Sequence, residues 1–77
     1  MIDTATSLLA LVAKVAKRDP EGISLNLRLA EDLGVKSIGR VELAALIEDQ
    51  LGVSIGNFEI RRPKTVGDVV ALVDSKR

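Results

Sequence analysis

The stretch EDLGVKSIGRVELAALIEDQLGV, residues 31–53, predicts a helix that begins near a serine and ends before a glycine. Gly34 favours a turn, Ser37 follows it, and an apolar run with helical spacing begins directly after that serine. Gly52 is the expected C-terminal stop, so we predict a helix over residues 37–51. The Ser37 hydroxyl then has two interpretations. It either caps the helix, as serines often do, or accepts a phosphate-linked group at the positive end of the helix dipole.

Two further helices flank this one. Apolar residues at helical spacing predict a first helix over residues 4–18, with Asp3 or Thr4 as its cap and residues 19–22, DPEG, as its stop. Near the C-terminus, residues 65–68, TVGD, have the spacing of a capping box. We therefore predict a last helix over residues 65–74, whose buried side chains are Val66, Val69, Val70, Leu72 and Val73.

The segments between the helices are predicted to be ordered loops. Residues 23–29 alternate like a strand, but the sequence offers no partner strand to satisfy their backbone groups. We predict a long loop over residues 23–36, with a helical turn near residues 29–32, pinned by Ile23, Leu25, Leu27, Leu29 and Leu33. The second connector, residues 53–65 (VSIGNFEIRRPKT), has room for one short helical turn around residues 57–61, anchored by Ile55, Phe58 and Ile60. The predicted fold is one all-α domain, residues 1–77: a small four-helix bundle of three longer helices and one short one, with a long first loop.

Composition excludes several kinds of function. The 77 residues include no cysteine and no histidine, which removes disulfides, thiolate nucleophiles, imidazole bases and nearly every zinc site. An enzyme is therefore not expected. Eleven basic residues balance eleven acidic ones, so no overall charge attracts nucleic acid or an anionic membrane. Residues 1–18 lack the basic start and cleavage site of a signal peptide, and their longest apolar run is too short to cross a bilayer. We expect a cytoplasmic protein.

Four groups of residues resemble the acyl carrier protein family. They are Asp32-Leu33-Gly34, Ser37, Val41-Glu42-Leu43 and Thr65-Val66-Gly67-Asp68. In that family a D-L-G-x-D-S-L core is followed by V-E-L, an acidic helix and a T-V-G-D start to the last helix. The resemblance covers nearly the whole chain, and the long first loop fits it.

The resemblance implies a role and a cofactor. Ser37 would carry 4′-phosphopantetheine, transferred from coenzyme A by a separate magnesium-dependent phosphopantetheinyl transferase. The thiol of that arm would hold acyl groups as thioesters for the enzymes of fatty-acid, polyketide or related biosynthesis. The chain, expected to be a monomer, would itself catalyse nothing.

The second helix is the expected partner surface. Its charged side chains form a polar face, which is ordinarily solvated. Val41 and Ala45 lie off the apolar stripe and are expected to be exposed, and the family uses these positions for partner contact. The predicted partner-binding residues are Lys36, Ile38, Arg40, Val41, Glu42, Ala45, Glu48 and Asp49.

Some residues depart from the family pattern. Lys36 stands where the family has aspartate, Gly39 stands where an acidic residue is common, and basic residues at 61, 62 and 64 help to make the chain neutral. These departures favour a specialised carrier over the housekeeping one. Two alternatives remain: a carrier of aminoacyl or peptidyl groups, which Gly34-Val35-Lys36 fits poorly, and an unmodified interaction module, which Lys36 favours.

Overall fold

A computed structural model describes residues 3–77. It contains three α-helices: α1, Thr4–Ala16; α2, Ser37–Leu51; and α3, Val66–Lys76. A 3-10 turn, Pro20–Gly22, occupies the stretch that was predicted to stop the first helix. The predicted all-α class is therefore confirmed. Residues 1 and 2 of the predicted domain lie outside the described part of the chain.

The helix ends have identifiable causes. The Asp3 carboxylate caps α1 by accepting the N–H of Thr6 at 2.8 Å. This helix ends two residues earlier than predicted, because Lys17 adopts a left-handed conformation with φ of 58°. At α3 the predicted capping box is present: the Thr65 hydroxyl accepts the Asp68 N–H, and the Asp68 carboxylate accepts the Thr65 N–H, both at 3.1 Å.

The central element is α1, which packs against both other helices, whereas no Cα atoms of α2 and α3 lie within 8 Å of each other. A Cβ on Gly39 would lie 3.4 Å from Val15, so the start of α2 is beside the end of α1. Arg77 donates a 2.8 Å hydrogen bond to the Thr4 hydroxyl, so the end of α3 is beside the start of α1. Both neighbours therefore run antiparallel to α1.

The core is aliphatic and includes loop residues as well as helix residues. Burial of each large aliphatic side chain contributes about 1.5–3 kcal/mol. Two predicted anchors are wrong: Leu25 is 42% exposed and Phe58 is 81% exposed. Val70 and Leu72 are half-buried rather than buried. The buried hydrophobic residues that form the core are Leu8, Leu11, Val12, Ala13, Ile23, Leu29, Leu33, Val35, Leu43, Ala44, Ile47, Val53, Ile55, Ile60, Val66, Val69 and Val73.

The backbone of the first loop forms hydrogen bonds with residues 64–67, a pairing that was not predicted from the sequence. Leu29 donates its N–H to the Lys64 carbonyl at 2.8 Å, and Val66 donates to the Leu27 carbonyl at 3.0 Å. The Gly67 N–H adds a 2.8 Å bond to the Leu25 carbonyl. Leu25 thus holds the loop through its backbone rather than its side chain. The helical turn predicted near residues 29–32 is present, since Asp32 bonds back to Arg28.

The second connector contains the short helical turn that was predicted. Residues 57–61 form one hydrogen-bonded turn, in which the Ile60 N–H bonds to the Gly56 carbonyl at 3.0 Å. Glycine at 56 and proline at 63 leave too few residues for propagation beyond that turn. None of the helices in residues 3–77 has the length and apolar character needed to cross a bilayer.

Candidate functional site

Ser37 is the first residue of α2, not its cap. Lys36 occupies the N-cap position with an extended backbone, and no side chain caps this helix end. The capping interpretation of Ser37 is therefore wrong. The serine is exposed, and within residues 3–77 its hydroxyl forms no hydrogen bond. The other helix-start hydroxyl, on Thr65, does act as a cap.

The backbone beside Ser37 has free donors. The first hydrogen bond of α2 is donated by the N–H of Arg40, to the Lys36 carbonyl at 2.9 Å. The N–H groups of Ser37, Ile38 and Gly39 have no acceptor within the described residues. They stand at the positive end of a 15-residue helix. These donors, together with the Lys36 ammonium, fit an anionic phosphate attached to the serine.

The loop holds this helix start in place. Gly34 has φ of 68°, which places the following residues against the core, and Val35 is buried there. The N–H of Val35 donates to the Leu29 carbonyl at 2.7 Å. A Cβ at Gly39 would lie only 2.9 Å from Val35 Cγ1. Gly39 lowers helix propensity, and its missing side chain is what lets Val35 pack over the first turn of α2.

Arg40 was predicted to contact partners, but the structure turns it toward its own chain. Its Nη1 donates to the carbonyl oxygens of Pro63 at 2.6 Å, Ile60 at 2.9 Å and Arg61 at 3.5 Å. The half-buried guanidinium therefore fastens the second connector to the first turn of α2. No local pattern in the sequence indicates this role, because the acceptors are main-chain atoms about twenty residues away.

The remaining predicted partner residues are exposed. Ile38 is 77% exposed and Val41 is 50% exposed, so α2 presents apolar side chains to solvent near Ser37. A groove of about 490 Å³ runs between α1 and α2, with an apolar floor and charged edges. Partner binding on the exposed face of α2 stays a prediction. The lining residues are Lys14, Val15, Glu42, Ala45, Leu46 and Asp49; the exposed residues outside the groove are Lys36, Ile38, Val41 and Glu48.

Sequence reasoning missed the exposure of Phe58. An aromatic side chain in a short connector ordinarily anchors it to the core, and no local pattern indicated otherwise. Here the ring faces away from the core, and the guanidinium carbon of Arg61 lies 5.8 Å from its centroid. Ile55 and Ile60 supply the anchoring instead.

Comparison with known proteins gives a consistent result. The family model described as "Phosphopantetheine attachment site" matches residues 6–73. The chain is 37% identical over 67 residues to an acyl carrier protein from Thermosynechococcus vestitus, covering 87% of this chain and 83% of that one. It is 40% identical over 63 residues to an acyl carrier protein from Rickettsia bellii, covering 82% and 78%.

The fold agrees with these similarities. A solved structure of a candidate acyl carrier protein from Mycobacterium tuberculosis superposes with a TM-score of 0.83 at 29% sequence identity. The match covers 94% of this chain and 96% of that one.

Proposed function

Because this chain belongs to the acyl carrier protein family, we propose that it carries acyl groups on an arm attached to Ser37. It is a carrier protein rather than an enzyme, and its cofactor is covalently attached 4′-phosphopantetheine. The choice of Ser37 rests on its exposed hydroxyl, which has no hydrogen-bond partner within residues 3–77 and lies beside three backbone N–H groups that also lack an acceptor there. When attached, the cofactor supplies the thiol that holds an acyl group as a thioester.

The role of the chain in loading is that of an acceptor. The Ser37 Oγ forms a bond to the phosphorus that bears pantetheine, while the bond from that phosphorus to the nucleotide half of coenzyme A breaks. Adenosine bisphosphate leaves, and the hydroxyl proton passes to a base of the transferase, since this chain contains no histidine. The N–H groups of Ser37, Ile38 and Gly39 would bind the phosphodiester at this helix start, and the ammonium of the preceding residue, Lys36, would offset its negative charge.

The family implies two kinds of partner, a phosphopantetheinyl transferase and biosynthetic enzymes that use the loaded arm. The pathway belongs to the proposal: fatty-acid, polyketide or related biosynthesis in the cytoplasm, served by a monomeric chain. Lys36 and the basic residues at 61, 62 and 64 are all exposed, which supports a specialised carrier with its own partner enzymes.

The two alternative functions have less support than acyl carriage. An unmodified interaction module has no use for a free serine hydroxyl at an uncapped helix start. A peptidyl carrier has little support, since the loop before Ser37 contains Lys36 where such carriers have histidine or aspartate.

Intact-mass spectrometry tests the attachment. The purified chain is incubated with coenzyme A, magnesium and a broad-specificity phosphopantetheinyl transferase, and we expect its mass to rise by one phosphopantetheine. Ser37→Ala should not gain mass, while the matched control Ser54→Ala, at an exposed serine of the connector, should gain it normally. An unchanged mass with several transferases, including that of the native host, would support the interaction-module alternative.

A further inference from the structure

The only aromatic residue of the chain stands in water. Phe58 is 81% exposed, more than any other large hydrophobic residue among those the structure describes. Burying a phenylalanine side chain contributes about 1.5–3 kcal/mol, so its exposure forgoes a gain that a 77-residue protein could use. Val53, Ile55 and Ile60 of the same connector are buried. These three side chains therefore anchor the connector to the core, and Phe58 takes no part in that anchoring.

The connector that presents Phe58 is held from both sides. Arg40 bonds to the carbonyls of Ile60 and Pro63, and Glu59 accepts the Gly56 N–H at 3.0 Å while pairing with Lys76 at 2.7 Å. A side chain held on a preorganised turn loses less conformational entropy on binding than one on a mobile loop. The turn that carries Phe58 is thus held in place while the Phe58 side chain is exposed, which suits a contact residue.

The charges around Phe58 specify the partner's chemistry. The basic side chains at 61, 62 and 64 are exposed, and within residues 3–77 none lies within 4.0 Å of a carboxylate. Arg61 lies over the Phe58 ring. Aromatic and arginine side chains are the types enriched in the centres of protein interfaces. The partner surface that is complementary to an aromatic ring surrounded by basic side chains is an apolar pocket with carboxylates at its rim.

The later part of the connector, residues 60–63, lies beside the start of α2. Arg40 is three residues after Ser37, about 4.5 Å along the helix axis, and its guanidinium contacts residues 60–63 directly. An ordinary interface covers about 800 Å² of each partner, which is about a sixth of the 4916 Å² surface of this chain. A partner footprint of that size, centred on Ser37, therefore extends over residues 60–63 and along the connector toward Phe58.

We propose that Phe58, Arg61 and Arg62, here called the connector patch, contact the enzymes that act at Ser37, the phosphopantetheinyl transferase first among them. The partner surface is an apolar pocket rimmed by carboxylates. This inference rests on the proposed function of Ser37. A polyanion such as nucleic acid or an anionic membrane is disfavoured, because the chain is neutral and the exposed face of α2 is acidic. A second copy of the chain is also disfavoured. If its connector patch docked in the groove between α1 and α2 of the first copy, the contact would be head-to-tail, and one patch and one groove would stay uncovered at the ends of the assembly unless the copies closed into a ring.

Loading kinetics with the native host's transferase test the patch. The concentration of the carrier is varied, and loaded product is counted by intact mass. We expect Phe58→Ala to raise KM about tenfold, the loss typical of an interface anchor, with kcat within about twofold. Arg61→Glu should also raise KM, by more at low salt than at high salt. The controls are Leu25→Ala, an exposed apolar residue outside the patch, and Arg77→Glu, at the opposite end of α1 from Ser37; both should leave KM unchanged.

The possible results separate the inference from the function on which it rests. Normal loading with an unchanged KM for Phe58→Ala and Arg61→Glu overturns the connector patch and leaves Ser37 as the attachment site. Failure of the unmutated chain to load at any concentration overturns the proposed function and the patch together. Sedimentation equilibrium adds a third result: a dimer that Phe58→Ala dissociates would show that a second copy occupies the patch, which also overturns the proposal.

Discussion

At the scale of single residues, Ser37 and Thr65 both stand at a helix start, and their hydroxyl groups do different things. The Thr65 hydroxyl accepts a backbone N–H and closes the capping box of α3, whereas the Ser37 hydroxyl has no hydrogen-bond partner within the described residues. A hydroxyl that caps a helix is already engaged in a structural hydrogen bond, whereas a hydroxyl without such a bond can be modified without loss of a cap. The two residues form a natural pair for separating a structural role from a functional one.

Alanine substitution should affect stability at only one of the two sites. Thr65→Ala should lower the free energy of unfolding by about 1 kcal/mol, the usual loss for a cap. Ser37→Ala should change it by less than about 0.5 kcal/mol, because no bond is lost and alanine is the better helix former. Urea denaturation followed by circular dichroism measures both. Equal losses at the two positions would mean that Ser37 is a cap after all.

Lys36 reverses the family's charge beside the attachment site. A charge one residue from Ser37 lies well within the Debye length of about 8 Å at physiological salt. A housekeeping transferase of this family meets aspartate at that position, so Lys36 should disfavour it and spare the dedicated enzyme. We predict that Lys36→Asp loads faster with a housekeeping transferase, and gains less, or loses, with the native host's transferase.

The Lys36→Asp variant has a side effect that a matched control separates. Aspartate at the N-cap would accept a free N–H of α2 and stabilise the protein by roughly 0.5–2 kcal/mol. Lys36→Asn caps equally well without the negative charge. If Lys36→Asn speeds loading as much as Lys36→Asp, the cause is the cap and not the charge. Equal rates for all three chains with both transferases would refute the role of Lys36.

At the scale of elements, α2 carries the predicted acidic docking face. Glu42 and Glu48 are exposed on it, and Glu42 lines the groove beside α1. Charges at the rim of an interface act mainly through the rate of encounter. We predict that reversing both to lysine slows association with a transferase and weakens its dependence on salt, as measured by stopped flow.

The control for this reversal keeps the same change in net charge. Glu21 and Asp74 are exposed residues on other elements, and reversing both should have a smaller effect on the association rate. If the two double variants associate alike, net charge rather than the α2 face controls the encounter. If neither differs from the unmutated chain, the partner surface lies elsewhere.

The elements were predictable to the extent that local signals determine them. The bounds of α2 followed from the turn at Gly34 and the stop at Gly52, and the capping box announced α3. Local pattern could not show that residues 25–29 pair with residues 64–67, because that pairing joins segments almost forty residues apart. It also missed how Arg40 fastens the connector, a long-range contact to main-chain atoms.

The candidate site was predictable in part for the same reason. Ser37 was identifiable from its helix start and its resemblance to the family, while its free hydroxyl depends on backbone geometry. The exposure of Phe58 depends on which way a single turn faces, and one turn carries no periodic signal in the sequence.

At the scale of the whole molecule, carboxylates at the starts of α1 and α3, in the first loop and in the connector make stability depend on pH. Hydrogen bonds from backbone N–H groups hold the pKa of Asp3, Asp32 and Asp68 below its ordinary value, and the Lys76 ammonium does the same for the pKa of Glu59. A lowered pKa in the folded state means that the ionised form favours folding. That contribution is complete above the ordinary carboxyl pKa, near 4, and is lost as the pH falls through the lowered values.

We therefore predict an acid-sensitive fold with a flat neutral range. The thermal midpoint should change little between about pH 5.5 and 7, because the chain has no histidine to titrate there. It should fall steadily below about pH 4. Asp68→Asn should be less stable at neutral pH and lose less on acidification. A midpoint that stays constant down to about pH 2 would contradict the account.

The most direct test of the central claim is to find where the native protein carries its arm. The chain is purified from its native host, digested, and its peptides are fragmented by tandem mass spectrometry. We predict one phosphopantetheine per chain, on the peptide that contains Ser37, with fragment ions that place it on that serine. A chain that is unmodified in the host, or that carries the group on any of its four other serines, would contradict the account.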